Sequence, residues 1–92
     1  MNELRKTVMI TNSRGLHARA SAKFVTYVSK LPAGVDVRVA KDGSEVTGTS
    51  IMGLMMLGAA KGDSVEIIVT GEQAESALEK LTGLVVDGFG ED

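Results

Sequence analysis

The chain has no cysteine, which excludes disulfide staples and thiolate metal sites. With 92 residues and no covalent cross-link, it must rely on one small, efficient hydrophobic core. That length predicts a single domain over residues 1–92. Tryptophan is absent, and proline occurs once, at Pro32. Phe24, Tyr27 and Phe89 are the whole aromatic complement, too few for a platform that stacks single-stranded nucleic acid. No apolar run approaches the roughly 20 residues that span a bilayer, so membrane insertion is not expected. The opening residues Met1-Asn2-Glu3-Leu4-Arg5-Lys6 are too polar for a signal peptide. Together with the missing cysteines, they lead to the expectation of a cytoplasmic protein.

A net formal charge of −2 argues against nucleic acid as the main partner. The distribution says more than the total. Arg5, Lys6, Arg14, Arg19, Lys23 and Lys30 follow one another with no Asp or Glu between Leu4 and Val35. From Glu72 to Asp92 there are six acids and one base, Lys80. Such asymmetry commonly means only that two faces are solvated differently. It also suits a basic face that meets an anion or an acidic partner, and the only histidine lies within that region.

Alternating β-branched residues predict a first strand over Leu4–Thr11, followed by the turn residues Asn12-Ser13-Arg14-Gly15. Ser21, Phe24, Val25 and Val28 recur at helical spacing, predicting a helix from Ala18 to about Lys30 that Pro32 and Gly34 stop. Val35, Val37 and Val39 alternate as a half-buried strand, Asp42-Gly43 marks a hairpin, and Glu45–Gly48 returns. Ser50 opens a short helix ended by Gly58, and Val65–Val69 forms a fourth strand broken by Gly71. Ala74, Ala77, Leu78, Leu81, Leu84 and Val85 form an amphipathic helix, after which Gly88 and Gly90 predict a frayed tail. The order is β-α-β-β-α-β-α. It predicts an α+β fold with a mainly antiparallel four-stranded sheet, helices on one face and solvent on the other.

The segment Gly15-Leu16-His17-Ala18-Arg19-Ala20-Ser21-Ala22 carries the chemistry. A glycine precedes the histidine and a helix begins just after it, so His17 sits about where an N-cap residue would. The first amides of a helix lack internal partners and its N-terminus is positive, so a phosphoryl group there meets ready donors. Neutral imidazole is a competent nucleophile, and Arg19 offers a planar fork for phosphate oxygens. A lone histidine at a helix start is nevertheless more often a polar cap, and spacing alone leaves both readings open. A metal site is disfavoured because His17 has no second His, no Cys and no nearby acid in sequence. A serine hydrolase is disfavoured by the small size and the lack of a Gly-x-Ser-x-Gly elbow.

Gly15-Leu16-His17-Ala18-Arg19 resembles the active-site motif of HPr, the histidine-containing phosphocarrier family of the bacterial phosphoenolpyruvate-dependent phosphotransferase system. Thr49-Ser50-Ile51-Met52-Gly53-Leu54-Met55 resembles that family's regulatory-serine motif, at the matching separation. The resemblance covers nearly the whole chain. It implies an open-faced β-sandwich, with three helices on one side of the sheet. It further implies that His17 is phosphorylated on Nδ1, that Arg19 contacts the phosphoryl group, and that the backbone of Ala18 and Arg19 stabilises it. Enzyme I is the implied donor and an enzyme II A-type domain the implied acceptor, with no cofactor and no metal. The family's motif usually has proline after the arginine, where this chain has Ala20. Alanine restores an N–H at little cost in helix propensity, so phosphorylation is expected to survive.

Ser50 precedes a short helix, where serine caps well, and capping alone would explain it. The resemblance adds a serine kinase/phosphorylase acting on Ser50, compatible with capping because a phosphate is tolerated at a helix N-terminus. Ile51, Met52, Leu54, Met55, Met56 and Leu57 cannot all face inward on so few turns. Leu54 and Leu57 are assigned to the core, and Ile51, Met52 and Met55 to the surface beside His17. A buried Met-rich core is the competing reading. An exposed apolar patch marks a contact surface, and the resemblance implies partner docking through Ile51, Met52 and Met55 together with Ala22, Lys23 and Thr26.

The chain is thus expected to be a monomeric, stoichiometric phosphoryl carrier with no substrate pocket of its own, and not an enzyme. The alternative is a regulatory paralogue of the same fold, reporting nitrogen or carbon status to kinases and transcriptional regulators. A small α/β ligand-binding or RNA-binding module is the unrelated class, and the acidic balance disfavours RNA.

Overall fold

The computed structural model describes residues 3–91. Met1, Asn2 and Asp92, parts of the polar opening and the acidic closing segment, lie outside the described residues. The elements are β1 (Glu3–Met9), α1 (Ala18–Ser29), β2 (Asp36–Lys41), β3 (Ser44–Thr47), α2 (Ile51–Met56), β4 (Ser64–Thr70) and α3 (Ala74–Val86), then a 3-10 turn over Gly88–Gly90. The predicted order is therefore observed, with boundaries displaced by a residue or two. The sheet runs β1-β4-β2-β3, and every neighbouring pair is antiparallel.

Period-two alternation explains which face is buried. Val39 lies opposite Ile67, Val37 opposite Val69, and Val8 opposite Val65. All six are buried and belong to one core with Phe24 and Val28 of α1, Leu54 of α2, and Leu78, Leu81 and Val85 of α3. Each fully buried Val, Leu or Ile contributes roughly 1.5–3 kcal/mol, the main favourable term open to a short chain without cross-links. The hairpin between β2 and β3 turns on Asp42 and Gly43, both at positive φ, as a two-residue loop requires. The outer face is not wholly solvated as expected. Ile68 on that face is buried, in register between Arg5 and Arg38, whose long side chains cover apolar surface while pairing with Glu66 and Glu45.

The loop between β1 and α1 is fixed at several points. Ile10 N–H donates to Asp63 O at 2.8 Å, and Leu16 N–H donates to Ala59 O at 2.9 Å. Thr11 Oγ1 donates to the carbonyl of Val86 at 3.2 Å. Gly15, at φ +63°, makes the close approach possible, because a Cβ there would overlap the Ala59 carbonyl. This glycine therefore locks the loop two residues before His17.

The tail departs from expectation. It does not fray within the described residues. Gly88, Phe89 and Gly90 all take positive φ, so the chain reverses sharply after α3. The reversal drives Phe89 into the core, where it is 1 % exposed. Lys23 Nζ on α1 donates to the Phe89 carbonyl at 2.7 Å and ties the tail down from the other side. The two glycines are turn residues that return the tail to the body, and burial of a large aromatic ring outweighs the entropy of an ordered end. Replacing Phe89 with alanine is expected to lower unfolding free energy by about 3 kcal/mol or more, as for other buried phenylalanines. Chemical denaturation measures this, and a loss below about 1 kcal/mol, typical of surface substitutions, would show that the ring is peripheral.

Candidate functional site

His17 is the N-cap of α1, with extended backbone (φ −76°, ψ −179°). Its carbonyl accepts from Ser21 N–H at 2.9 Å, which starts the helix. Its Nδ1 accepts the Arg19 backbone N–H at 3.3 Å, satisfying one of the otherwise unpaired amides. A nitrogen that accepts carries a lone pair and no proton. The neutral ring must then carry its proton on Nε2.

Nε2 meets a carboxylate. It lies 2.9 Å from Glu91 Oε2 and 3.1 Å from Glu91 Oε1. The pair is largely shielded, with 22 % of the His17 side chain and 15 % of the Glu91 side chain exposed. Glu91 is held in turn by Asn12, whose Nδ2 donates to Glu91 Oε1 at 3.2 Å and to the Gly15 carbonyl at 2.9 Å. The hydrogen bond from His17 holds the Glu91 carboxyl below the usual carboxylate range. Burial opposes it, while the Asn12 amide and the positive charge of Lys23 assist. Asn12 is fully buried, and its Oδ1 has no hydrogen-bond partner among the described residues.

No acid is near His17 in sequence, but the fold brings one to it: Glu91 is distant in sequence and arrives through the folded tail. Neither Asn12 nor Glu91 was singled out from the sequence. The available signal was an aromatic residue between two glycines, in a chain with few aromatics to leave exposed. One acid is not a metal site, and no group of three or more His, Cys, Asp or Glu is arranged to hold a metal among the described residues.

The other sequence-predicted residues fall on two neighbouring surfaces. Ala18 and Arg19 occupy the first turn of α1 and are exposed. The Arg19 guanidinium forms no ion pair with another described residue, and neither does Arg14. Arg19, Ala22, Lys23 and Thr26 line a shallow groove along α1 that Leu84 of α3 also borders. The Lys23 ammonium donates to the Phe89 carbonyl at 2.7 Å.

Ser50 caps α2, accepting the Gly53 N–H on Oγ at 2.9 Å. Leu54 is fully buried and Leu57 nearly so, whereas Ile51, Met52 and Met55 are exposed by 40 %, 70 % and 42 %. Met56, which the sequence left unassigned, is the most exposed of the helix at 78 %. Helix α2 packs against α1, and the segment after it receives the Leu16 N–H, so the apolar surface adjoins the histidine loop.

This arrangement presents one imidazole lone pair at a helix N-terminus, with Arg19, which has no ion-pair partner among the described residues, on the first turn of the same helix. Comparisons with known proteins agree with that chemistry. The family model described as "PTS HPr component phosphorylation site" matches residues 4–87. The phosphocarrier protein HPr of Neisseria meningitidis serogroup A is 46 % identical over 88 residues, covering 96 % of this chain and 97 % of the relative. The phosphocarrier protein NPr of Escherichia coli K12 is 38 % identical over 89 residues, covering 97 % and 98 %. The crystal structure of HPr-C-His from Thermoanaerobacter tengcongensis matches with a TM-score of 0.87 at 39 % identity, covering 100 % of this chain and 99 % of that one. With the element order, the antiparallel open sheet and the histidine-capped first helix in agreement, this chain belongs to the HPr family of phosphocarrier proteins.

Proposed function

We propose that this protein is a stoichiometric carrier that accepts a phosphoryl group on His17 Nδ1 from phosphorylated Enzyme I and passes it to enzyme II A-type domains. The observation that carries this reading is the orientation of Nδ1, which holds an unprotonated lone pair toward the first amide donors of α1. A phosphoryl group bound there would displace the long contact from Arg19 N–H and take the amides of Ala18 and Arg19 as donors. The Arg19 guanidinium, on the same helical turn and without an ion-pair partner among the described residues, would neutralise the phosphoryl oxygens. Transfer joins two imidazoles in line through phosphorus, so positioning and charge neutralisation supply most of the catalysis.

Ile51, Met52 and Met55, with Ala22, Lys23 and Thr26 on α1, form the docking surface in this reading, and exposed Met56 extends it. Unbranched methionine side chains adapt to several partners. Ser50 is the regulatory position. A phosphate added there by a serine kinase would remain at the start of α2 while placing charge beside the apolar centre of the surface. These partners put the carrier's work in the cytoplasm. The similarity to carriers named HPr and to one named NPr favours, as a second reading, a regulatory paralogue that uses the same His17 chemistry toward other partners. Phosphorylated protein offered to purified sugar-specific enzyme II A domains separates the two, since discharge onto them is expected of a sugar-transport carrier.

Incubation with Enzyme I and phosphoenolpyruvate is expected to add one acid-labile phosphoryl group, read by intact mass. His17→Ala should abolish the addition and leave the protein folded, at a cost of about 0.5–2 kcal/mol for the lost helix cap. Full labelling of His17→Ala at another residue would remove His17 from its role. Met52→Asp is expected to weaken Enzyme I binding by about 1–3 kcal/mol, the range of an interface hot spot, with little change in stability. Calorimetric binding and thermal melting measure the two effects. Undiminished binding by Met52→Asp would place the docking surface elsewhere.

A further inference from the structure

The tail contact is more than a means of holding the chain end. Phe89 is the anchor, with its ring in the core and its carbonyl accepting from Lys23 Nζ. Two residues later, both Glu91 carboxylate oxygens lie within 3.1 Å of His17 Nε2. Asn12 accounts for the precision of that placement. Its Nδ2 binds the Glu91 carboxylate and the Gly15 carbonyl, coupling the tail to the loop that carries the histidine. The coupling leaves Asn12 Oδ1 buried and unpartnered, a cost that a side chain serving only to fill space would not incur.

A histidine gripped this way has one reactive nitrogen. With Nε2–H donating to a carboxylate, the only lone pair available for attack is on Nδ1, at the helix N-terminus. We propose that Glu91 is a positioning residue for phosphoryl transfer. It fixes His17 as the Nε2–H tautomer and shares the positive charge that the ring acquires when Nδ1 takes the phosphoryl group. This inference rests on the carrier reading and extends it to the side of the ring that the phosphoryl group does not touch.

The step balances without moving a proton. The Nδ1 lone pair forms the new N–P bond as the bond from phosphorus to the donor's phosphohistidine nitrogen breaks. That bond's electrons return to the donor ring. His17 keeps its Nε2 proton and becomes cationic, while the donor ring, cationic when phosphorylated, becomes neutral. The Glu91 carboxylate faces the new cation and lowers its energy. In the outward step the N–P electrons return to His17, which leaves as neutral imidazole with its proton still on Nε2. The positive charge of Lys23 favours the ionised carboxylate that this role needs.

Two readouts on wild type, Glu91→Gln and Glu91→Ala test the proposal. The first is nitrogen-edited NMR of the unphosphorylated protein at about pH 7.5, where ordinary imidazole is mostly neutral. Wild type should show a solvent-sheltered ring proton on Nε2. Glu91→Gln should retain it, because an amide oxygen still accepts, and Glu91→Ala should lose it. The second is the rate of phosphoryl acceptance from Enzyme I and phosphoenolpyruvate. It should fall by about tenfold or more in Glu91→Ala, the scale seen when a histidine loses its orienting partner. Glu91→Gln should fall between the two, since it keeps the orientation and loses the charge. A ring proton on Nδ1 in the wild type, or an Nε2 proton equally sheltered in Glu91→Ala, would overturn the proposal. A wild type that takes no phosphoryl group overturns the carrier reading itself, whereas Glu91→Ala accepting as fast as wild type overturns only the role of Glu91.

Discussion

The grip on the His17 ring from both of its nitrogens is the interaction on which the rest of the site depends. An N-cap side chain ordinarily accepts one amide hydrogen and nothing more is asked of it. Here the capping atom is Nδ1, so the residue that starts α1 is also the proposed nucleophile. The opposite nitrogen is occupied by Glu91, so rotation of the ring would break contacts on both edges. A cap contact of 3.3 Å is long enough to exchange for a phosphoryl oxygen at low cost, while the shorter contacts to Glu91 hold the ring through the exchange.

That grip is built from parts of the fold that are far apart in sequence. The loop bearing His17 is pinned by backbone bonds to the segments that follow α2 and precede β4. Glu91 arrives through the reversal after α3, with Phe89 in the core and Lys23 of α1 closing on its carbonyl. Core packing and ring orientation are thereby linked, since the carboxylate at Nε2 lies two residues beyond the buried Phe89. The small size of the chain makes this economical. A core that consumes its buried aromatic residues for stability also uses one of them to bring the Glu91 carboxylate to His17.

Much of this was legible in the sequence, for physical reasons that differ by element. The alternating valines of β2 and the helical stripe of α1 are single-element patterns set by which face is buried. Leu54 and Leu57 could be separated from Met52 and Met55 because a short helix buries one side only. His17 and Ser50 could be placed at helix starts because caps have local signatures, while their functional assignment came from the motifs' resemblance to the HPr family. The tail was misread because Gly-Phe-Gly carries two opposed signals, flexibility and burial, and only the packed core decides between them. Glu91 and Asn12 were invisible for a related reason, since a carboxylate that reaches a histidine more than seventy positions away leaves no mark in local spacing. Ile68 shows the same limit in the sheet, where cover from flanking arginines buried a residue that alternation assigns to solvent.

The position of the phosphoryl group on the ring offers the most direct test of the mechanism. Protein carrying 15N-labelled histidine, charged with phosphoryl from phosphoenolpyruvate, can be read by phosphorus–nitrogen NMR for which ring nitrogen bears phosphorus and which bears hydrogen. The geometry at His17 predicts phosphorus on Nδ1 and a retained proton on Nε2. Phosphorus on Nε2 would require Glu91 to leave and the ring to turn, and would contradict both the orientation and the role assigned to it.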